Sequence, residues 1–272
     1  MEKFSVLISV YKNDKPEWFR LSLDSIFSQT VVPDEVVLVE DGPLTTDLEA
    51  VVNEFSARYP VLEVVALGKN RGLGLALNEG LLHCSYDLVA RMDSDDICKS
   101  NRFELLVNEF ERDADLAVCG SWIEEFVDTP EQVEYIRVLP RTHAELFEFG
   151  KRRNPVNHPS CMFRKKAVLE SGNYQDFPLF EDYYLWARMM VRGYKFHCIQ
   201  QSLLSFRFSR NMIKRRGGIK YAWTELKFQW QLHRIGYISM GIFMKNMMVR
   251  TVTRLVPASI REDIYRQVRK YK

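Results

Sequence analysis

Two clusters of acidic residues, each directly behind a short apolar run, constrain the fold of this 272-residue chain more than any other feature. They are Glu40-Asp41-Gly42 and Asp93-Ser94-Asp95-Asp96. The apolar runs have the length of buried strands, and segments with helical spacing alternate with them as far as residue 120. This alternation predicts an α/β fold with a mostly parallel central sheet flanked by helices. Ligands bind beyond the carboxyl ends of the strands in such sheets, so both clusters are expected in one crevice.

The same patterns predict the order of the elements. Strands are expected at Phe4–Val10, Val36–Val39, Leu62–Leu67, Leu88–Met92, Leu116–Trp122, Val133–Leu139, Ser160–Phe163, Tyr194–Ile199 and Leu203–Phe208. Pro16 opens the first helix, and apolar stripes predict further helices at residues 48–55, 76–81 and 103–110 and from Glu181. The remainder is predicted to be helical, with Pro257 separating a long piece from a short one at Ser259–Tyr271.

The net charge of +2 conceals a strong asymmetry along the chain. Residues 207–272 hold 16 Lys and Arg against three acids, a balance of +13, which leaves −11 for residues 1–206. A basic tail on an acidic body suits nucleic acid, an anionic membrane surface or a pyrophosphate near the active site. Residues 242–256 intersperse apolar and basic residues as an interfacial helix does, although a helix packed on the body would have the same pattern.

The cysteines and the start of the chain indicate a reduced, cytoplasmic protein. The five cysteines are far apart, odd in number and without a Cys-x-x-Cys pair, which argues against a disulfide framework or a cysteine zinc site. The first residues run straight into a strand and lack the pattern of a signal peptide. The apolar stretch Ile238–Val256 contains Lys245, Arg250 and Arg254, so the chain is not expected to cross a membrane.

The second acidic cluster is the strongest chemical signal. Three carboxylates within four residues repel one another unless a cation or hydrogen-bond donors compensate them. Mg²⁺ or Mn²⁺ fits this need, because hard cations prefer oxygen ligands and commonly combine one or two carboxylates with substrate phosphates. The alternative is a solvated turn in which Asp96 caps the next helix.

Other residues beside the strand ends suit a nucleotide. Asp41 could accept hydrogen bonds from a base or a ribose hydroxyl, and Tyr11 could stack on a base. Arg71 lies in Asn70-Arg71-Gly72-Leu73-Gly74, where a guanidinium and a glycine-rich helix start suit anions. The alternatives are an ordinary Asp-Gly turn at Asp41, an aromatic residue on the rim at Tyr11 and a simple loop around Arg71.

Three further groups are candidates for catalysis or substrate contact. Glu181 and Asp182 open a helix, so they either interact with the helix dipole or provide a general base for an attacking hydroxyl. His158 could contact substrate or metal, or have a structural role. The run Lys214-Arg215-Arg216 precedes two glycines and suits either a mobile loop over phosphates or a solvated charge run.

Taken in order, these residues resemble glycosyltransferase family 2, the inverting nucleotide-sugar transferases of the GT-A fold. The resemblance covers residues 3–210 and follows a single order of motifs. Its segments are Val6–Tyr11, Ser25–Thr30, Val37–Gly42, Asn70–Asn78, Arg91–Asp96 and Glu181–Arg188. Arg207–Gly218 and the tail also resemble members that extend bacterial surface polysaccharides and lipid-linked oligosaccharides.

The resemblance implies a GT-A domain with a Rossmann-like sheet at residues 1–210. Its nucleotide-binding half would be 1–124 and its acceptor-binding half 125–210, with a basic helical extension at 211–272. The matching positions imply that Tyr11 and Asp41 bind the base, that Asp93 contacts the ribose or diphosphate, and that Asp95 holds the catalytic metal. Asp182, beside Glu181, is the implied general base.

The implied activity is metal-dependent transfer of one sugar, with inversion, from a nucleotide donor to a hydroxyl of a glycan or lipid-linked saccharide. A metal on Asp95, with Arg71 or the Lys214-Arg215-Arg216 loop, would neutralise the departing diphosphate, and His158 is a further contact candidate. The expected cofactor is Mn²⁺ or Mg²⁺, and a UDP-sugar is the commonest donor of the family. The expected partners include an anionic membrane surface at the inner face of the plasma membrane but no nucleic acid.

Two departures from the family pattern qualify this picture. Glu40-Asp41-Gly42-Pro43 replaces the common Asp-Asp-Gly-Ser, so the motif does not identify the nucleotide base or the donor. The Gln-x-x-Arg-Trp motif of processive synthases is missing, which favours addition of one sugar at a time. One alternative function is a sugar-1-phosphate nucleotidyltransferase, which should carry a glycine-rich basic loop where this chain has Tyr11-Lys12-Asn13-Asp14. Another is a non-catalytic nucleotide-sugar binder that docks on a membrane through its tail.

Overall fold

The computed structural model of the protein describes residues 1–209 and 218–255. The strands in these ranges are β1 Phe4–Val10, β2 Glu35–Glu40, β3 Leu62–Ala66, β4 Leu88–Asp93, β5 Ile97–Cys98, β6 Leu116–Phe126, β7 Val133–Arg137, β8 Met162–Arg164 and β9 Lys195–Arg207. The helices are α1 Pro16–Phe27, α2 Thr46–Arg58, α3 Leu73–His83, α4 Arg102–Arg112, α5 His143–Gly150, α6 Lys165–Glu170, α7 Glu181–Val191, α8 Ile219–Arg234 and α9 Met240–Leu255. The described strands form one sheet in the order β3-β2-β1-β4-β8-β6-β9-β5, with β7 paired to β6.

The N-terminal half of the sheet is parallel, as the strand-helix alternation predicts. β1 lies between β2 and β4, and β3 lies beyond β2, all in the same direction. Val10 lies opposite Glu40 on β2, and Ser9 lies opposite Asp93 on β4. The three strands therefore end together. Because the strand order reverses at β1, their carboxyl ends frame the crevice in which open α/β sheets bind ligands.

The other half of the sheet is mixed. β8 lies between β4 and β6 and is antiparallel to both, whereas β6 and β9 run parallel. The prediction of separate strands at Tyr194–Ile199 and Leu203–Phe208 is wrong, because both belong to β9. The polar residues Gln200 and Gln201, between the two predicted strands, lie where the register with β6 shifts. A bulge carries them within a continuous strand.

Helices cover both faces of the sheet, and each layer encloses an apolar core. One layer contains α1, α2 and α4, with Phe19 and Phe103 fully buried. The other contains α3, α7 and α8, with Trp186 and Phe228 fully buried. The apolar stripes of the helices are therefore used in packing, and the polar residues at the strand ends are left for the crevice.

The helices α8 and α9 follow the sheet and pack against each other. The prediction of one long helical piece here is wrong, because α8 ends at Arg234. Gly236 has a φ of +79°, and the next backbone N–H, that of Tyr237, bonds back to Leu232 at 3.0 Å, which is how a glycine terminates a helix. In the described ranges, no helix has the length and hydropathy needed to span a bilayer. The predicted piece Ser259–Tyr271 lies outside the described residues.

Candidate active site

The second acidic cluster, Asp93-Ser94-Asp95-Asp96, forms a loop at the end of β4, where the strand order reverses. We call it the acidic loop. Within β4, Arg91 is fully buried, and its guanidinium pairs with the carboxylate of Asp93. A buried charge is costly unless paired, so this contact holds both side chains in place. Arg102, at the start of α4, is also fully buried and donates from Nη2 to the carbonyl oxygen of Arg91 at 2.5 Å. Arg102 therefore holds the strand, and the guanidinium of Arg91 offsets part of the charge of Asp93 and Asp96.

Asp95 shares this site with Asp14 from the loop after β1. The Ser94 hydroxyl donates to Oδ2 of Asp14 at 2.8 Å, and the backbone N–H of Tyr11 donates to the same oxygen at 3.1 Å. Burial raises the pKa of Asp14 to about 6. Burial, with Asp93 and Asp14 alongside, raises the pKa of Asp95 to about 7. The crevice therefore crowds carboxylates whose ionised forms need a positive partner.

Asp96 ties the acidic loop to β9 and does not cap a helix. Its buried Oδ1 accepts a hydrogen bond from the backbone N–H of Arg207 at 2.8 Å, whereas α4 begins only at Arg102. Nε of Arg207 donates to the carbonyl oxygen of Asp95 at 3.1 Å, and its guanidinium lies over the ring of Trp18. The cap alternative for Asp96 is therefore wrong, and the acidic loop is fixed from both halves of the sheet.

Asp41 binds the backbone of the protein itself. Its Oδ1 accepts from the N–H of Arg71 at 2.6 Å, and its Oδ2 accepts from the N–H of Gly72 at 3.0 Å and the amide of Asn70 at 2.9 Å. Gly42 has a φ of +85°, and a Cβ there would lie 2.5 Å from the backbone nitrogen of Asn70. The loop before α3 is thus held at the end of β2. A carboxylate oxygen can accept more than one hydrogen bond, so these bonds leave room for a further donor. Contact between Asp41 and the nucleotide base therefore stays a prediction.

Of the predicted phosphate-binding cations, the structure describes only Arg71. Nη1 of Arg71 lies 3.5 Å from Oε2 of Glu79 on α3, and both side chains are partly exposed. Because such an exposed pair is weak, the guanidinium can exchange it for an anionic ligand. The run Lys214-Arg215-Arg216 lies outside the described residues.

The start of α7 places Glu181 and Asp182 next to the same group of charges. The side-chain amide of Asn154 donates to Oδ2 of Asp182 at 2.5 Å. A Cβ on Gly74, in the first turn of α3, would lie 3.1 Å from Cβ of Glu181, so this glycine lets α3 and α7 approach each other. The positive charge of Arg91 also acts on Glu181. The buried Arg91 therefore pairs with Asp93 and also acts electrostatically on the start of α7.

Glu181 makes the stability of the fold depend on pH. Burial and the adjacent Asp182 raise its pKa to about 7 from an ordinary 4.5. The folded protein thus binds this proton more strongly than the unfolded chain, so stability falls as the pH rises from 4.5 towards 7. We expect Glu181→Gln to stabilise the ligand-free protein by on the order of 2–3 kcal/mol at about pH 8 and to change it little at about pH 4. Calorimetry at both pH values measures the difference.

The exposed Glu131, replaced by glutamine, provides the control for that measurement. Its substitution should leave the melting temperature unchanged at either pH, because an exposed carboxylate is solvated in both states. A shift of the same size at both pH values in Glu181→Gln would contradict the raised pKa.

His158 lies in the core. Its Nε2 is 2.9 Å from the hydroxyl of Tyr174, and its ring packs edge-on against Trp186. Burial and the nearby charge of Arg91 hold the pKa of His158 well below its usual value, so the ring is neutral. This placement favours the structural alternative for His158 over contact with a phosphate or an acceptor.

The carboxylates of the crevice fit a hard divalent cation. All their donor atoms are oxygens, and burial, with a smaller contribution from neighbouring carboxylates, raises the pKa values of Asp14 and Asp95, a cost that a cation would relieve. Among the described residues, no three Asp, Glu, His or Cys side chains form a complete metal centre. A Mg²⁺ or Mn²⁺ that shares its ligands with a diphosphate needs only one or two protein carboxylates. Asp95, on which the charges of Asp93 and Asp14 also act, would hold such an ion.

The sequence patterns did not predict three residues of the site, Asp14, Arg91 and Asn154. Asp14 follows β1 at the reversal of strand order, so its position was a usable signal. Arg91 is a charged residue inside an apolar strand, which indicates a buried ion pair. Asn154 lies in an irregular segment without periodicity, and nothing in the sequence pointed to its bond with Asp182.

Comparisons with known proteins show which family the chain resembles. The family described as "Glycosyl transferase family 2" matches residues 5–172. A UDP-Gal:alpha-D-GlcNAc-diphosphoundecaprenol beta-1,3-galactosyltransferase of Escherichia coli is 41% identical over 266 residues, covering 98% of this chain and 96% of that protein. The amylovoran biosynthesis glycosyltransferase AmsE of Erwinia amylovora is 36% identical over 274 residues, covering 98% of this chain and 99% of that protein.

A solved structure shares the fold. The mannosyltransferase PcManGT from Pyrobaculum calidifontis, in complex with GDP-Man and Mn²⁺, matches 99% of this chain and 81% of its own, with a TM-score of 0.64. The two sequences are 16% identical, so the likeness concerns the arrangement of strands and helices alone.

Proposed function

Because the chain belongs to glycosyl transferase family 2 and has the GT-A fold, we propose that it moves one sugar from a UDP-sugar donor to a hydroxyl of a lipid-linked saccharide. One observation carries this proposal. Asp93 ends β4 with Asp95 just beyond it, and Asp182 lies at the start of α7; the buried Arg91 pairs with Asp93 and acts electrostatically on Glu181, the neighbour of Asp182. Transfer from a diphosphate needs both a charged site for the leaving group and a base for the acceptor.

The donor would lie across the ends of β1, β2 and β4. Tyr11 and Asp41 follow two of these strands and would contact the base, while Asp93 would contact the ribose or diphosphate. A divalent cation held by Asp95 would supply neutralisation of the charge that develops on the departing diphosphate. Arg71 can turn from its exposed partner Glu79 to assist, because that contact is weak.

On the acceptor side, Asp182 would act as the general base. It takes the proton of the acceptor hydroxyl while that oxygen forms a bond to the anomeric carbon of the donor sugar. The bond from the anomeric carbon to the diphosphate oxygen breaks, and UDP departs with the electron pair. Attack opposite the leaving group inverts the anomeric configuration. The amide of Asn154 orients the Asp182 carboxylate by donating to its Oδ2.

The acceptor class follows from the relatives. The Escherichia coli relative is named for a GlcNAc-diphosphoundecaprenol acceptor, and the Erwinia relative for the biosynthesis of amylovoran. We place the reaction of this chain at the cytoplasmic face of a membrane, where a lipid-linked acceptor presents its saccharide. The basic C-terminal helices would attach the protein there peripherally.

A thermal-shift screen of nucleotide sugars, with and without Mn²⁺, tests the donor assignment. We expect UDP-sugars with Mn²⁺ to raise the melting temperature by about 5 °C at a hundredfold excess over Kd, because a ligand that binds only the folded state stabilises it. GDP- and TDP-sugars serve as matched controls and should shift it less. No shift with any nucleotide sugar would reject the proposal, and a shift confined to GDP-sugars would reject the uridine donor.

A further inference from the structure

The outer face of α8 carries apolar side chains that the protein leaves in solvent. Ile219, Trp223 and Trp230 are 80%, 58% and 44% exposed, and their spacing places them on one side of the helix. Lys227 and Arg234 are exposed on the same side. The opposite side of α8 buries Phe228 and other core residues. The helix therefore has two apolar stripes, one packed on the body and one exposed.

The neighbouring helix α9 continues this surface. Met240, Met244 and Met248 follow one another at helical spacing and are exposed, Met248 by 73%. Trp230 contacts Phe243 of α9 edge-on, with ring centroids 5.7 Å apart, so it lies where the two helices meet. The outer sides of α8 and α9 thus adjoin at Trp230, and we call the exposed residues of both helices the hairpin face. Its members are Ile219, Lys220, Trp223, Lys227, Trp230, Arg234, Met240, Met244, Lys245, Met248 and Val249.

The charge of the hairpin face has one sign. Residues 218–255 contain six Lys and Arg and a single acid, Glu225. Glu225 is buried and pairs with Arg250, so it takes no part in the surface. Lys220, Lys227 and Lys245 are exposed among the tryptophans and methionines. Within residues 218–250, the surface therefore combines apolar side chains with positive charge and has no exposed acid.

We propose that the hairpin face docks on an anionic phospholipid membrane, with its aromatic and methionine side chains in the headgroup region. Tryptophan is enriched at membrane interfaces because its ring is apolar and its N–H is polar. Lysine and arginine add electrostatic attraction to anionic lipid. A protein partner would bury lysines at the centre of its interface, where charged residues are depleted. The combination therefore matches a lipid surface better than a protein surface.

The proposal rests on the proposed function for its purpose, because docking would bring a lipid-linked acceptor to the catalytic side of α7. On its inner side, Phe228 of α8 stacks on Phe180, with centroids 4.3 Å apart, directly before Glu181. From α9, Asn246 donates to the carbonyl oxygen of Lys151 at 2.9 Å in the segment that leads to Asn154. The helices α8 and α9 therefore pack on the residue before Glu181 and on the segment that leads to Asn154.

Flotation of the full-length protein with vesicles tests the docking. The vesicles contain either phosphatidylcholine alone or phosphatidylcholine with phosphatidylglycerol, and no nucleotide sugar is added. We expect flotation with the anionic vesicles only, and a partition coefficient about a hundredfold lower for the combined variant Trp223→Ser, Met244→Ser and Met248→Ser. Leu21→Ser with Leu82→Ser removes exposed apolar side chains elsewhere and should change nothing.

The outcomes separate docking from catalysis. Absence of flotation with anionic vesicles would overturn the proposal, and so would undiminished flotation of the triple variant. A dimer in light scattering that the triple variant abolishes, without vesicle binding, would show that a second copy covers the face and would also overturn it. Transfer to a soluble acceptor analogue should be equal in the triple variant and the unaltered protein. If neither protein transfers sugar, but the unaltered protein floats and the triple variant does not, the proposed function is rejected and the docking stands.

Discussion

Asp95→Ala is expected to lower the turnover of sugar transfer by roughly a thousandfold. Asp95 lies in the crowded loop after β4 and would hold the divalent ion that offsets the charge on the leaving diphosphate. Charge stabilisation at that point contributes several kcal/mol to such reactions, and each 1.36 kcal/mol corresponds to about tenfold in rate. Steady-state release of UDP by the purified variant, compared with the unaltered protein, measures the loss.

Two further measurements on Asp95→Ala distinguish catalysis from folding. The melting temperature of the ligand-free variant should be equal or higher, because removal of one carboxylate relieves repulsion from Asp93 and Asp14. The stabilisation by Mn²⁺ with UDP-sugar should disappear. The exposed Asp115→Ala serves as a control with full activity. Near-normal turnover in Asp95→Ala would remove this residue from the mechanism.

Asp182→Asn is expected to lower turnover by about 10²–10⁴-fold while leaving donor affinity almost unchanged. Asparagine keeps the size of the side chain and an oxygen that can accept from Asn154, but it cannot take a proton. The loss should therefore appear in kcat and not in the KM for the UDP-sugar. Rapid-quench measurement of a single turnover would locate it in the chemical step.

Two variants provide the comparisons for Asp182→Asn. Asn154→Ala removes the amide that bonds to Asp182 at 2.5 Å and should lower kcat less, because the base is retained in a less fixed orientation. Glu181→Gln should keep most of the activity if Asp182 alone is the base. A larger loss in Glu181→Gln than in Asp182→Asn would assign the proton transfer to Glu181 instead.

The sequence predicts the parallel half of the fold well because each of its signals is local. Apolar runs such as Phe4–Val10 and stripes such as that of α1 are fixed by burial on a sheet with helices on both faces. The placement of Tyr11, Asp41 and the acidic loop at one edge of the sheet follows from parallel strands that end together. The family of the chain, suggested by the order of these motifs, is confirmed by the match over residues 5–172.

The second half of the chain is less predictable because long-range pairing decides it. No periodicity announces that β8 lies antiparallel between β4 and β6, or that Gln200 and Gln201 form a bulge within β9. Asp96 has the sequence context of a helix cap, yet its partner is Arg207, far along the chain. The hydrogen bond from Asn154 to Asp182 likewise depends on an irregular loop. Interactions of this kind become visible only when the sheet is assembled.

An assay of sugar transfer by the purified protein tests the proposed reaction most directly. The full-length protein is incubated with Mn²⁺, a panel of UDP-sugars and lipid-diphosphate saccharide acceptors, and the products are followed by mass spectrometry. We expect one acceptor to gain one sugar for each UDP released, with inversion at the anomeric carbon. Binding of UDP-sugars without transfer to any saccharide acceptor would contradict it, as would consumption of nucleoside triphosphate with release of pyrophosphate.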